Sequence, residues 1–351
     1  MSKEDFLSVG GQAIVEGVMM RSPKYFAVAC RAPNKELIVR AEPIEKTWIG
    51  KQKWLKVPFL RGSWALLDSM SLGIRAMRFA SDVQLAPQYQ PEGQEPQGSA
   101  AEIAVAKAHM EKSDAEVVES TVKPPSQPAK QMDKKIQDGV VFGAIVLSLV
   151  FGLIIFKFLP QALGTYLREK QHLGDIPTNA IIETIHAVTF IGYMIGIGQL
   201  PTVKEVFRYH GAEHKAINTW EAELPLTLEN CKAQTRLHPR CGTSFAIIVI
   251  ILEFFVFTFI PRINKGHFFV EAISNFALHI AILPLIAGVA YELLRFAGKF
   301  RDNSAIMVLF KPGLWTQLIT TQEPRDDQIE VALVSLKACL DGEDSLKEMK
   351  A

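Results

Sequence analysis

The stretch GVVFGAIVLSLVFGLIIFKFL, residues 139–159, holds one charged side chain, Lys157, close to its C-terminal end. A helix of this length spans a hydrocarbon core of about 30 Å. Three further stretches have the same character. AIIETIHAVTFIGYMIGIGQL (180–200) contains Glu183 and His186, and TSFAIIVIILEFFVFTFIP (243–261) contains Glu253. FFVEAISNFALHIAILPLIAGVA (268–290) contains Glu271, His279 and Pro284. One such run could be the core helix of a soluble domain; four in close succession point to a membrane. The fold class read from the sequence is therefore an α-helical polytopic membrane protein. About four transmembrane helices lie within 139–301, and the N-terminal segment and C-terminal tail supply a small α+β cytoplasmic domain.

Composition agrees. Of 351 residues, 48% are hydrophobic and 21% charged, which excludes a largely disordered chain. A net charge of +1 gives no field for nucleic acid. Four cysteines exclude a fold built on disulfides. The N-terminal MSKEDFLSVGG lacks the apolar core of a signal peptide, so no cleaved leader is expected.

The basic flanks set an orientation. Lys123, Lys130, Lys134 and Lys135 precede the first span, and Lys204, Arg208, Lys215, Lys232, Arg236 and Arg240 fall between the second and third. Arg295, Lys299, Arg301 and Lys311 follow the fourth. The first and third connections are poorer: Lys157, Arg168 and Lys170 in one, Arg262 and Lys265 in the other. These counts place both termini in the cytoplasm of a cell bounded by the inner (cytoplasmic) membrane.

Outside the spans, residues 1–57 read as a β-rich cytoplasmic unit. YFAVACRAPNKELIVRAEPI gives two strands around the turn Pro33-Asn34-Lys35. Residues 58–83 read as an amphipathic helix, either lying in the membrane interface or packed on the hairpin. The segment 84–131 is rich in proline and glutamine, as in a disordered linker, with a short helix allowed at 100–118. In the tail, 302–351, AIMVLF (305–310) reads as a strand. A final helix is expected around 326–341, with Ile329, Leu333, Leu336 and Leu340 on one face.

The chemistry concentrates in the cytoplasmic loop 201–242, which opens PTVKEVFRYHGAEHKAINTWEAE. His210, Glu213 and His214 have the spacing H-x-x-E-H. Histidines four apart lie roughly 6 Å from each other on one helix face and suit a shared cation, with the glutamate beside them as candidate general base. Inverzincin proteases use this spacing. Gly211 costs the helix about 1 kcal/mol relative to alanine, and a metal does not explain that cost. RLHPRCGTSF (236–245) adds His238 and Cys241, both borderline-soft donors. Four ligands (His210, His214, His238, Cys241) would make a structural site; three plus water would make a catalytic one. Glu221 lies about 10 Å along the helix from His214 and reads as an ordinary surface charge.

Within the spans, Glu183 and His186 form one Glu-x-x-His pair, where a di-iron bundle needs two. Glu253, Glu271 and His279 could join a site or pair with Arg262, Arg295 or each other; pairing is the preferred reading. In GGQAIVEGVMMR, Gln12, Glu16 and Arg21 stand in an apolar setting, and Gly10, Gly11 and Gly17 permit close backbone approach or positive φ.

Three stretches together carry a family resemblance: GGQAIVEGVMMR (10–21), YHGAEHKAINTWE (209–221) and HPRCGTSF (238–245). The chain resembles the YqhQ-like bacterial membrane proteins, labelled predicted metal-dependent enzymes of unknown function. The resemblance spans nearly the whole chain outside 84–131. It implies a metal site, whose natural carriers here are His210, Glu213, His214, His238 and Cys241, and it implies no substrate.

The leading expectation is a divalent metal, zinc first, at the cytoplasmic mouth of the bundle. His210 and His214 hold it, His238 or Cys241 completes the shell, and Glu213 is the base of a hydrolase. The alternatives are a membrane scaffold or assembly factor with a structural His/Cys site and a protein partner, and an oligomeric ion transporter using Glu183, His186, Glu253 and His279. The expected surroundings are a lipid bilayer and no nucleic acid.

Overall fold

The computed structural model describes residues 9–44, 60–96, 98, 102–107, 109–110, 143, 146–263, 266–299 and 303–348. Its strands are β1 (Gly10–Ile14), β2 (Gly17–Arg21), β3 (Tyr25–Arg31) and β4 (Leu37–Pro43). Its main helices are α1 (Leu60–Leu85), α2 (Val146–Gln171), α3 (Asp175–Ile197), α4 (Pro201–Glu221), α5 (Leu228–Ala233), α6 (Gly242–Phe259), α7 (Phe268–Lys299), α8 (Ser304–Thr320) and α9 (Asp326–Glu348). The chain forms two compact units, one of residues 1–117, 195–247 and 288–351, the other of 118–194 and 248–287.

In the first unit the strands form an antiparallel meander, β1-β2-β3-β4. Alternation along the two central strands builds two cores. Val18 and Met20 lie opposite Ala29 and Ala27, and with them pack against Tyr209, Ala212 and Ile217 of α4 and Ile329, Leu333 and Leu336 of α9. The intervening residues Met19, Phe26, Val28 and Cys30 face the other way and bury Leu72, Ala76, Phe79 and Val83 of α1. Both faces of β2 and β3 are covered, which explains why neither strand reads as half polar. Ser335 of α9 donates to the Ala27 carbonyl across 3.1 Å, a close approach that the small side chain at 27 permits.

Helix α1 thus packs on the sheet, as one of its two expected readings required. Its other side keeps Leu67, Met70 and Met77 exposed. The segment assigned to a linker from 84 onward begins as structure. Leu85 ends α1, Ala86 is buried, and Pro87–Tyr89 form a short 3₁₀ turn. Residues 102–107 and 109–110 are helical, and Met110 is buried in the α1 core. The remainder of the expected linker, 111–131, lies outside the described residues, as do 45–57 of the expected β-rich unit.

One tail reading is corrected. AIMVLF is part of helix α8, not a strand. A six-residue apolar run cannot separate the two on its own. Here the helix continues through Leu314, Trp315 and Leu318 despite Pro312. The final helix forms where expected and runs on to Glu348.

The second unit holds most of the four helices that are long and apolar enough to cross a membrane: α2, α3, α6 and α7. At most 33% of any of their apolar windows is buried. Phe151, Leu147, Phe255 and Phe269 lie exposed, and apolar surface of this extent calls for a lipid-like surrounding. Two of their buried carboxylates, Glu253 and Glu271, are paired with cations. Lys157, on a π-helical turn of α2 (Ile154–Phe158), reaches Glu253 at 2.6 Å. Glu271 accepts from Arg168 at 2.7 Å and lies 3.6 Å from Arg262, which also donates to Asn179 and Thr165. Pairing was expected for Glu253 and Glu271; the actual partners of Glu253 (Lys157) and of Glu271 (Arg168) were not named.

Candidate metal centre

Helix α4 starts at Pro201, where a missing N–H costs nothing, and runs past His210 and His214 to Glu221. Its two imidazoles lie on one face, edge to face, with ring centroids 4.4 Å apart. Each is fixed by its Nδ1. His210 Nδ1–H donates to the Thr320 carbonyl at 2.9 Å and His214 Nδ1–H to the Arg236 carbonyl at 2.6 Å. A carbonyl can only accept, so both Nδ1 atoms carry a proton and it is the Nε2 atoms that are left to face the site.

There the His210 Nε2 meets a sulfur. Cys241, the residue before α6, places Sγ 3.1 Å from His210 Nε2. Ligand atoms of His210, His214 and Cys241 all lie within 4.8 Å of one another. The loop reaches them because polar side chains grip its backbone. Asn218 donates to the Thr235 and Leu237 carbonyls, and Arg236 donates to the Thr321 carbonyl. Gln317 of α8 accepts from the His238 amide at 2.8 Å and donates to the His238 carbonyl at 2.7 Å.

The electrostatics follow from this geometry. Burial alone would raise the Cys241 thiol, but His210 and His214 override it and hold it well below its ordinary value. Burial would lower His210, yet the facing Cys241 sulfur, with help from Glu213, brings it up to about 9. The pair is poised as thiolate and imidazolium, a form whose sulfur is ready to ligate and whose Nε2 proton a cation would replace.

His238 does not join the three. Its ring centroid is 5.7 Å from that of His214, and its Nε2 faces Glu221 at 3.3 Å. Burial lowers His238, against the pull of Glu221. Glu221 is likewise no ordinary surface charge: its side chain is 4% exposed and also pairs with Arg240. Of the four candidate ligands the structure thus brings three together, Cys241 rather than His238 standing beside the two helix histidines, and His238 pairs with Glu221 instead.

Glu213 is buried and turns toward β1. Burial raises its carboxyl, while His214, His210 and the Gly11 amide pull the other way. A Cβ at Gly11 would fall 2.7 Å from Glu213 Cγ, so this glycine makes room for the carboxylate. Gly211 is explained in the same way. A Cβ there would collide with the carbonyl oxygen of Gln322, whose amide donates to the Phe207 carbonyl at 2.9 Å. Glu16, at φ 50° in the β1–β2 turn, accepts from the Tyr209 hydroxyl at 3.0 Å and stands outside the trio. Gln317 and the carbonyls of Thr320 and Arg236 were not foreseen. The one signal for Gln317 was a polar side chain inside an apolar run, LWTQLIT.

Residues 57–342 match a family described as a protein of unknown function, DUF1385. Over 334 residues the chain is 31% identical to Uncharacterized protein YqhQ of Bacillus subtilis (strain 168), covering 94% of this chain and 92% of that one. The chain belongs to this YqhQ-like family. No solved structure matches it. The DUF1385 match takes in α4, the loop with Cys241 and most of α9, and it begins after the sheet that receives Glu213.

Proposed function

We propose that this chain is an integral protein of the cytoplasmic membrane, with both termini inside the cell. It holds a divalent metal at His210, His214 and Cys241, and it is a hydrolase acting on a membrane-proximal substrate. The basic flanks of the four apolar helices support the placement. The observation that carries the metal reading is the pair of Nδ1–H bonds to Thr320 and Arg236. Metal-bound histidines are oriented by just this kind of bond from the second nitrogen. A donor set of two imidazoles and one thiolate suits zinc.

A bound ion would supply Lewis acidity and lower the pKa of its water. Three protein ligands are the number found in catalytic zinc sites. Glu213 is the proton carrier of this reading: burial raises its carboxyl toward the range where it can take and release a proton, and the Gly11 amide holds it in place. His238 and Glu221 position the loop.

Metal analysis of the full-length protein in detergent tests this. Wild type is expected to hold metal that His210→Ala with His214→Ala loses and His238→Gln keeps. Wild type without stoichiometric metal overturns it.

A second reading has its own support. Hydrogen bonds donated by Asn218, Arg236 and Gln317 tie the loop to α4, to Thr321 and to α8, as a structural knot in a scaffold protein would. Under it, Glu213→Gln leaves cellular function intact while His214→Ala destabilises the protein. Loss of function in a folded, metal-loaded Glu213→Gln variant rejects it.

A further inference from the structure

The second unit contains a cluster that the reading above does not use. Glu183 and His186 sit one turn apart on α3, with Glu183 Oε2 3.1 Å from His186 Nδ1. His279, from α7, brings its Nδ1 to 3.7 Å from the other oxygen of Glu183. All three are buried, and each offers one ligand atom within 4.8 Å of the other two. Phe257 of α6 stacks on the His279 ring at 3.7 Å and 7°, which fixes its plane.

Two atoms of this cluster have no hydrogen-bond partner among the described residues: Glu183 Oε1 and His186 Nε2. In an apolar interior each such atom costs about 1–3 kcal/mol. The carboxylates elsewhere in the unit avoid that cost, Glu253 through Lys157 and Glu271 through Arg168 and Arg262. Glu183 has only histidines beside it. Hydrogen bonding alone therefore leaves the cluster half satisfied, whereas a cation at its centre would take a lone pair from each residue. Ligand atoms around a tetrahedral ion with bonds of about 2.1 Å lie roughly 3.4 Å apart, so rotamer adjustments of about 1 Å would close the site.

We propose that Glu183, His186 and His279 form a second metal site, separate from the thiolate site and specific for a first-row divalent transition metal. One carboxylate and two imidazoles suit zinc or ferrous iron and disfavour calcium and magnesium, which take oxygen ligands. The three residues leave coordination positions for water or an exogenous ligand.

Cobalt(II) titration of the metal-stripped, full-length protein in detergent tests this, because thiolate-to-cobalt charge transfer marks the Cys241 site alone. Wild type is expected to bind two equivalents, one with the charge-transfer band and one without. Glu183→Gln and His279→Asn should each remove the second equivalent and keep the band, which also shows that the variants are folded. A single equivalent showing the band, or two equivalents persisting in both variants, overturns the proposal. Absence of the band with one equivalent that Glu183→Gln abolishes would leave this site standing and reject the thiolate site.

Discussion

Gly211→Ala separates local helix physics from packing, because the two give opposite signs. In the interior of α4 an alanine should favour the helix by about 1 kcal/mol over glycine. The structure opposes this. The new methyl would collide with the Gln322 carbonyl, which is backbone and cannot rotate aside. Displacing it forces strain of about 1–3 kcal/mol. It also disturbs two bonds of the same segment, Gln322 N–H to Phe207 and His210 Nδ1–H to Thr320, each worth about 1 kcal/mol. A net loss of about 2–4 kcal/mol is expected, together with weaker metal binding, since His210 loses the bond that orients it. The control is Gly192→Ala in α3, where an added Cβ meets nothing within 4 Å and stability should hold or rise. Denaturation of the full-length variants in detergent reads both. A Gly211→Ala protein as stable as Gly192→Ala, with unchanged metal affinity, would refute the packing account.

Other expectations follow from the same contacts. In metal-free protein Cys241 should be the first thiol alkylated, at a rate that depends less on pH than that of an ordinary thiol. Cys30 and Cys339, pushed by burial to about 12 and about 11, should stay unmodified until the protein unfolds, and mass spectrometry decides the order. Leu336→Ala, at the fully buried α9–sheet contact, should cost about 2–5 kcal/mol, against under about 0.5 kcal/mol for exposed Leu67→Ala, as read from denaturation midpoints. His238 is held below its ordinary 6.5, so the unfolded chain binds its proton more readily. Its contribution to stability should be lost as pH falls below about 6.5, and His238→Gln should flatten that part of the pH–stability curve.

The parts of this architecture legible in the sequence are those that depend on local pattern. Four long runs with few charges announce four apolar helices, and the Pro33-Asn34-Lys35 turn announces the β3–β4 hairpin. What local pattern could not supply was direction and distant partners. The spacing His238…Cys241 puts two donors in one loop, but only the grip of Gln317 and Glu221 turns the histidine aside and leaves the thiol facing His210. Gly211 looked like a liability, and the group that Gly11 makes room for could not be named, because Gln322 and Glu213 lie elsewhere in the chain. His279 was visible as a polar residue in a span, yet its convergence with Glu183 depends on how α3 and α7 pack.

The central claim is that two imidazole Nε2 atoms and one thiolate share a cation. X-ray absorption at the zinc edge of zinc-loaded, full-length protein tests it most directly, with Glu183→Gln and His279→Asn present so that one site dominates. The account predicts a first shell with one sulfur at about 2.3 Å and nitrogen or oxygen at about 2.0 Å, the sulfur vanishing in Cys241→Ser. A shell without sulfur, or one unchanged by that substitution, would contradict it.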